Sequence, residues 1–110
     1  MRVTLLFNKM KGAEAQGRRT ATGFVILRGS SAVVEQRESA ETRPNVVARR
    51  NQLISDGTLV EKDGFLFFTK DTEFPSPSAA AAVIHGGSAN GLTAWKAADG
   101  RTLKQLNERA

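Results

Sequence analysis

Four consecutive alanines, Ala79 to Ala82, stand between a helix-start signal and a helix-stop signal, and this run constrains the fold more than any other stretch of the chain. Ser76 offers an oxygen to the first free backbone amides of a helix. Pro77 suits the first helical position, where its missing N–H is not needed. Gly86-Gly87 ends the helix after Val83, Ile84 and His85. Because alanine carries no bulk, such a helix can lie close against a sheet, with Val83 and Ile84 as its apolar grip. Asn90-Gly91 then turns the chain, and Leu92 to Lys96 reads as a strand carrying Trp95, the only tryptophan.

The remaining elements follow from periodicity and turn chemistry. Val3, Leu5 and Phe7 alternate with Arg2, Thr4 and Leu6, which predicts a half-buried opening strand with Phe7 turned inward. Lys9 to Thr22 is rich in glycine, alanine and basic residues without an apolar period. It reads as a mobile connection, with room for a helical turn over Ala13 to Gln16. Phe24 to Leu27 and Ala32 to Glu35, separated by Gly29-Ser30, read as a hairpin. Gln36 to Arg43 is polar and unpatterned. Pro44 then opens a helix that carries Val46, Val47, Leu53 and Ile54 on one face and stops at Asp56-Gly57. Arg50 falls between the apolar pairs, so its stem is expected to pack while its head reaches the rim. Leu59 to Glu61, a Lys62-Asp63-Gly64 turn and Phe65 to Thr69 form the clearest hairpin, with Phe65, Phe67 and Phe68 as core anchors. After a turn at Asp99-Gly100, Thr102 and Gln105 stand in capping-box register, and Leu103 and Leu106 predict a short closing helix that frays from Glu108.

The expected fold class is α+β: a small mixed sheet of hairpins with two main helices and a short C-terminal helix, as one domain over residues 1–110. A chain of this length buries roughly 65% of its unfolded surface without staples. The absence of cysteine excludes disulfides, thiolate metal sites and thiol nucleophiles, and suits a reducing compartment, so a cytoplasmic location is expected. The N-terminal apolar run is too short for a signal peptide, and the longest uncharged stretch is broken by prolines, glycines and polar residues, so no membrane partner is expected.

The net charge of +5 is regional. Residues 1–30 hold Arg2, Lys9, Lys11, Arg18, Arg19 and Arg28 against Glu14 alone, whereas basic and acidic groups balance over the rest. A block of this kind attracts polyanions, although a basic solvated surface also occurs in proteins that bind none. Lys9, Lys11, Arg18 and Arg19 have no core role competing for their side chains, so phosphate contact is the expected use, with Arg28, Arg49, Arg50 and Lys96 as further contacts. Asn90 fits a turn and, alternatively, a two-bond contact to adenine. Trp95 fits a core anchor better than an exposed base platform, because large aromatics dominate small cores.

Catalytic readings are weaker. His85 is the only histidine, and with no cysteine a metal site would need carboxylates almost alone; capping of the helix end is the better use. Ser76 and Ser78 are explained as helix-start residues with no base placed beside them. Gly12, Gly17, Gly23 and Gly29 make neither a P-loop nor a dinucleotide fingerprint, so no cofactor is implied.

Lys11 to Gly17, Gly23 to Ser30, Leu53 to Leu59, Ser76-Pro77-Ser78-Ala79-Ala80-Ala81 and Ser88 to Trp95, in that order, resemble a bacterial family of domains of unknown function, DUF4357, over about Phe7 to Leu106. Such domains are often appended to GIY-YIG-type nucleases and other restriction–modification proteins. The second half is also similar to the module found beside restriction enzymes and adenine methylases, with which it shares the Ser-Pro-Ser and Asn-Gly-x-x-x-Trp patterns; Leu92 stands where those sequences commonly carry tryptophan. The resemblance implies a non-catalytic, DNA-associated accessory role, with DNA and a nuclease or methyltransferase subunit as partners. Three functions follow in order: a DNA-binding accessory module, a protein-interaction or scaffolding domain docking on a nuclease or methylase, and, last, an enzyme.

Overall fold

A computed structural model describes residues 4–35, 44–87 and 89–108. The helix over the alanine run is its centre. This helix, α2 (Pro77–His85), begins with Ser76 Oγ accepting the Ala79 N–H at 3.0 Å and ends at Gly86 in the left-handed conformation. Ala80 to Ile84 are all buried, while Ser78 in the first turn is exposed and Ala79 half-buried. Around it the chain forms β1 (Leu6–Met10), β2 (Ala13–Thr20), β3 (Gly23–Ile26), β4 (Ser31–Val33), α1 (Pro44–Ser55), β5 (Leu59–Lys62), β6 (Phe65–Phe68), β7 (Thr72–Phe74), α3 (Gly91–Ala94) and α4 (Leu103–Glu108). The α+β class therefore holds. The pairings are antiparallel and fall into two sheets, ordered β1-β2-β3-β7 and β4-β6-β5. Helix α2 packs against strands of both sheets and against α1 and α3.

The main departure from the sequence expectation is the segment from Lys9 to Thr22, which is a hairpin and not a loop. Lys11-Gly12 turns the chain, and Asn8 pairs with Ala15, Lys9 with Glu14. Ala13, Ala15 and Gly17 alternate inward at period two, with Glu14, Gln16 and Arg18 between them on the other face. No large apolar residue marks this strand because the space beneath it is already filled. A β-carbon on Gly17 would lie 2.4 Å from the Phe24 ring. The same pairing shifts the opening strand: Leu6 and Asn8 are buried, Leu5 is exposed, and Phe7 is half-buried on the outer face with Lys9. A one-residue slip in phase reverses every side chain.

Three further expectations change. β3 and β4 do not form a hairpin, since β3 pairs with β2 and β7 while β4 pairs with β6. Leu92 to Lys96 is not a strand: Asn90 caps the one-turn helix α3, and only Lys96 bridges to Phe7 on the edge of β1. On α1 Leu53 is buried but Ile54 is 45% exposed. The β5–β6 hairpin turns at Asp63-Gly64 as expected, yet it is Leu66 and Phe68 that enter the core, and Phe65 and Phe67 are half-buried on the opposite face. The closing capping box is present, with Thr102 N–H donating to Gln105 Oε1 (2.8 Å) and Gln105 N–H to Thr102 Oγ1 (3.2 Å). Gln36 to Arg43, which the sequence leaves unpatterned, lie outside the described residues, as do Arg109 and Ala110. Among the described residues no helix is long and apolar enough to cross a membrane.

The two sheets are joined by serine side chains. The second half of β2 pairs with β3, but beyond Gly17 the neighbouring backbone leaves, and Ser30 and Ser31 take its place. Ser30 Oγ accepts the Gln16 N–H at 2.9 Å and donates to the Gln16 carbonyl at 3.3 Å. Ser31 Oγ does the same for Glu14, at 2.8 and 3.2 Å. The Ser31 hydroxyl thus serves both the donor and the acceptor of Glu14, and the Ser30 hydroxyl serves the Gln16 N–H while sharing the Gln16 carbonyl with the Leu27 N–H (2.9 Å). Ser31→Ala removes both bonds, so it should lower stability by about 1–3 kcal/mol. Urea denaturation checks this; a loss below the measurement error would show that water replaces the hydroxyl.

Candidate nucleic-acid interface

Strand alternation sorts the basic residues of the N-terminal hairpin onto different faces. Lys9 lies outside, beside Phe7 on β1 and opposite Glu14, to which it is ion-paired at 3.6 Å. Both side chains of that pair are largely exposed, so the pair holds Lys9 weakly. Glu14, Gln16 and Arg18 form the adjacent row on β2. Arg28, just after β3, and Phe67 on β6 complete one wall of an open cleft of ≈ 500 Å³ along the serine seam, lined also by Phe7, Lys9, Glu14 and Gln16. A second cleft of ≈ 430 Å³ lies on the other side of Phe7, between Lys9 and the segment from Ala94 to Gly100, and Lys96 lines it. The two clefts share Phe7 and Lys9. Their linings hold three cations, Lys9, Arg28 and Lys96, and one carboxylate, Glu14, which is already paired. Arg101 does not join them: its Nε is 2.7 Å from Asp99 Oδ2. The Arg101 backbone N–H, with its side chain, holds the Asp99 carboxyl below the usual carboxylate range.

The other expected contacts are placed elsewhere. Lys11 is exposed at the hairpin turn. Arg19 points to the opposite face from Arg18 and donates to Asn107 Oδ1 on α4 at 2.7 Å. Arg49 donates to the Glu73 carbonyl at 3.0 Å and lies 5.2 Å over the Phe74 ring, in the groove between α1 and α2. Arg50 is only 1% exposed, so its head does not reach the rim and cannot meet a phosphate at the surface. Its guanidinium donates to the carbonyls of Val33 and Val34, and burial pushes it down from its ordinary pKa. Asn90 Oδ1 accepts the Leu92 N–H at 3.0 Å, so the oxygen needed for a two-bond adenine contact is committed to capping.

His85 Nε2 lies 2.9 Å from Oδ1 of Asn8, a buried residue of β1. Among the described residues no group of three His, Asp or Glu side chains converges as a metal set. The sequence does not mark Phe7, Phe67, Gln16, Ser30 or Ser31 as contact residues; it assigns Phe67 to the core, whereas Phe67 is half-buried on the opposite face. The signal that would have found Phe7 is the small-residue alternation of Ala13, Ala15 and Gly17, which fixes the hairpin and with it the phase of β1.

The family model for a domain of unknown function, DUF4357, matches residues 5–107. The chain belongs to this family. No curated protein and no solved structure matches it. In this DUF4357 domain the Ser-Pro-Ser and Asn-Gly-x-x-x-Trp stretches meet in one interlocked unit. Trp95 is fully buried, its ring 4.5 Å from that of Phe24 and tilted by 39°, and its indole Nε1–H donates to the Pro77 carbonyl at 3.0 Å. Ser78 Oγ accepts the Gly91 N–H at 2.9 Å. A β-carbon on Gly91 would lie 2.4 Å from Pro77 C and Ser78 N, so the two helix starts can meet only where that residue is glycine. The most recognisable residues of the domain thus hold α2 to α3, and the exposed cations lie on a different face.

The split between Arg18 and Arg19 is directly testable. If this face meets DNA, Arg18→Ala should weaken that binding with little change in stability, whereas Arg19→Ala should leave affinity unchanged and cost about 0.5–1 kcal/mol through the lost Asn107 bond. Equal effects of the two substitutions on affinity, measured by mobility shift, would contradict the placement.

Proposed function

We propose that this DUF4357 domain is a non-catalytic DNA-binding accessory module, which contacts phosphates through the outer face of the four-stranded sheet. Lys9, Arg18, Arg28 and Lys96 are the contact residues. The observation that supports this reading is the composition of the paired clefts: Lys9, Arg28 and Lys96 line them from three separate segments, Arg18 lies in the same β2 row as Glu14 and Gln16, and the carboxylate there is already paired. Cationic side chains presented on one face by strands and short loops suit a sugar–phosphate backbone, which carries no sequence information itself. The binding is therefore sequence-tolerant. By the family resemblance, the module serves a restriction–modification or nuclease system and acts beside a nuclease or methyltransferase subunit in the cytoplasm.

A second reading, docking on such a protein partner, has its own observation. The groove between α1 and α2, of ≈ 320 Å³, is lined mainly by Val46, Phe74, Pro75, Ala79 and Val83. It lies away from the cationic face, so the two readings use separate surfaces.

Titration at several salt concentrations tests the first reading. Each neutralised phosphate releases counterions, so with four contacts the slope of log K against log salt should be about −3.6 on duplex DNA and about −2.8 on single strands. Lys9→Ala or Lys96→Ala should each reduce the slope by nearly one contact and weaken binding alike on all sequences. No measurable binding to either form at low salt would remove the DNA reading and leave the groove as the functional surface.

A further inference from the structure

The two clefts contain aromatic rings as well as cations, and this addition selects among forms of DNA. Phe7 forms part of both clefts, and Phe67 lines the first. Both rings are only half-buried, on the face turned away from α2, whereas Phe24, Phe68, Phe74 and Trp95 account for the aromatic core. The basic side chains follow the same path: Arg28 in the first cleft, Lys9 common to both, Lys96 in the second. Gln16 and Glu14 add polar side chains to the floor of the first cleft.

We propose that the ligand of this face is an unpaired DNA strand, with bases stacked on Phe7 and Phe67 and phosphates held by Arg28, Lys9 and Lys96. The inference rests on the DNA-binding reading above and specifies the form of DNA. In a duplex the faces of the bases are covered by their neighbours in the stack, and what projects into the grooves are base edges. Rings recessed in open clefts cannot reach those faces. An unpaired strand presents each base separately, and alternation of aromatic platforms with cations along a groove is the arrangement that binds such strands without sequence preference. Each cleft has a volume in the range of pockets that take small molecules, enough for a base to enter. Lys96 is held beside Phe7 by a single antiparallel bridge, with the Phe7 N–H donating to its carbonyl at 2.7 Å and its N–H to the Phe7 carbonyl at 2.9 Å, so the second cleft adjoins the first across Phe7.

Fluorescence anisotropy with a labelled oligothymidylate and a duplex of the same length tests the proposal on the whole chain. The single strand should bind more tightly than the duplex. Phe7→Leu and Phe67→Leu keep apolar volume but remove the aromatic face; each should weaken single-strand binding by about tenfold and leave duplex binding unchanged. Lys96→Ala should weaken both forms. An abasic strand of the same length, which keeps the phosphates, should lose the single-strand advantage in the wild-type protein, and this arm needs no variant to fold. Tighter duplex binding, or an abasic strand bound as well as oligothymidylate, would overturn the strand preference while leaving DNA binding intact. Failure of both forms to bind would overturn the DNA reading and this inference with it.

Discussion

β2 has two neighbours along one edge, and the structure depends on how its backbone is satisfied where it passes from one to the other. From Gly17 onward β3 supplies an ordinary ladder, and before it the hydroxyls of Ser30 and Ser31 stand in for the missing strand. The substitution lets the chain leave β3, turn through Leu27 to Gly29 and enter the second sheet as β4 without a break in hydrogen bonding. Ser30 also takes part in the second sheet through its backbone, as the Phe68 N–H donates to its carbonyl at 2.9 Å. Two sheets can therefore meet at an angle around α2. The alanine run is the complement of this seam: only a helix with small side chains fits inside strands brought so close together.

The seam also explains the position of the candidate interface. A cleft opens where two sheets are joined by side chains in place of a continuous ladder, and the first of the two clefts is lined by Ser30 and Ser31 themselves. Phe7, Gln16 and Phe67 reach it from three strands. The residues that the family resemblance rests on do something else. Ser76, Pro77, Ser78, Asn90, Gly91 and Trp95 are committed to one another, as caps, as a close contact and as an indole–carbonyl bond. They build the scaffold, and the cations on the far side of the sheet confer the charge.

The elements that were legible in the sequence are those whose signals are local. The cap and stop of α2, the Asp63-Gly64 hairpin turn, the Thr102/Gln105 capping box and the start of α1 at Pro44 each need only a few adjacent residues, and each is present. Where the deciding contact is distant, the local pattern misleads. Ala13, Ala15 and Gly17 carry weak strand propensity, and what makes them a strand is the close approach of Phe24 and α2. Leu92 to Trp95 has strand-like composition but follows Asn90, whose side chain starts a helical turn instead. Arg50 reads as an amphipathic rim residue, and only the carbonyls of Val33 and Val34 reveal why it is drawn inside. For the interface, the sequence marked Lys9, Arg18, Arg28 and Lys96 by charge. It did not mark Phe7 or Phe67 as contacts, because which face of β1 and β6 each ring takes depends on pairing with distant strands.

The central claim is that one face of the domain, the one bearing the paired clefts, meets DNA. A two-dimensional 1H–15N NMR titration with a short single-stranded oligonucleotide tests it residue by residue. The account predicts dose-dependent shifts at Phe7, Lys9, Gln16, Arg28, Phe67 and Lys96, with the amides of α2 unmoved. Shifts confined to Val46, Arg49 and Phe74 in the groove between α1 and α2, or no shifts at all, would contradict it.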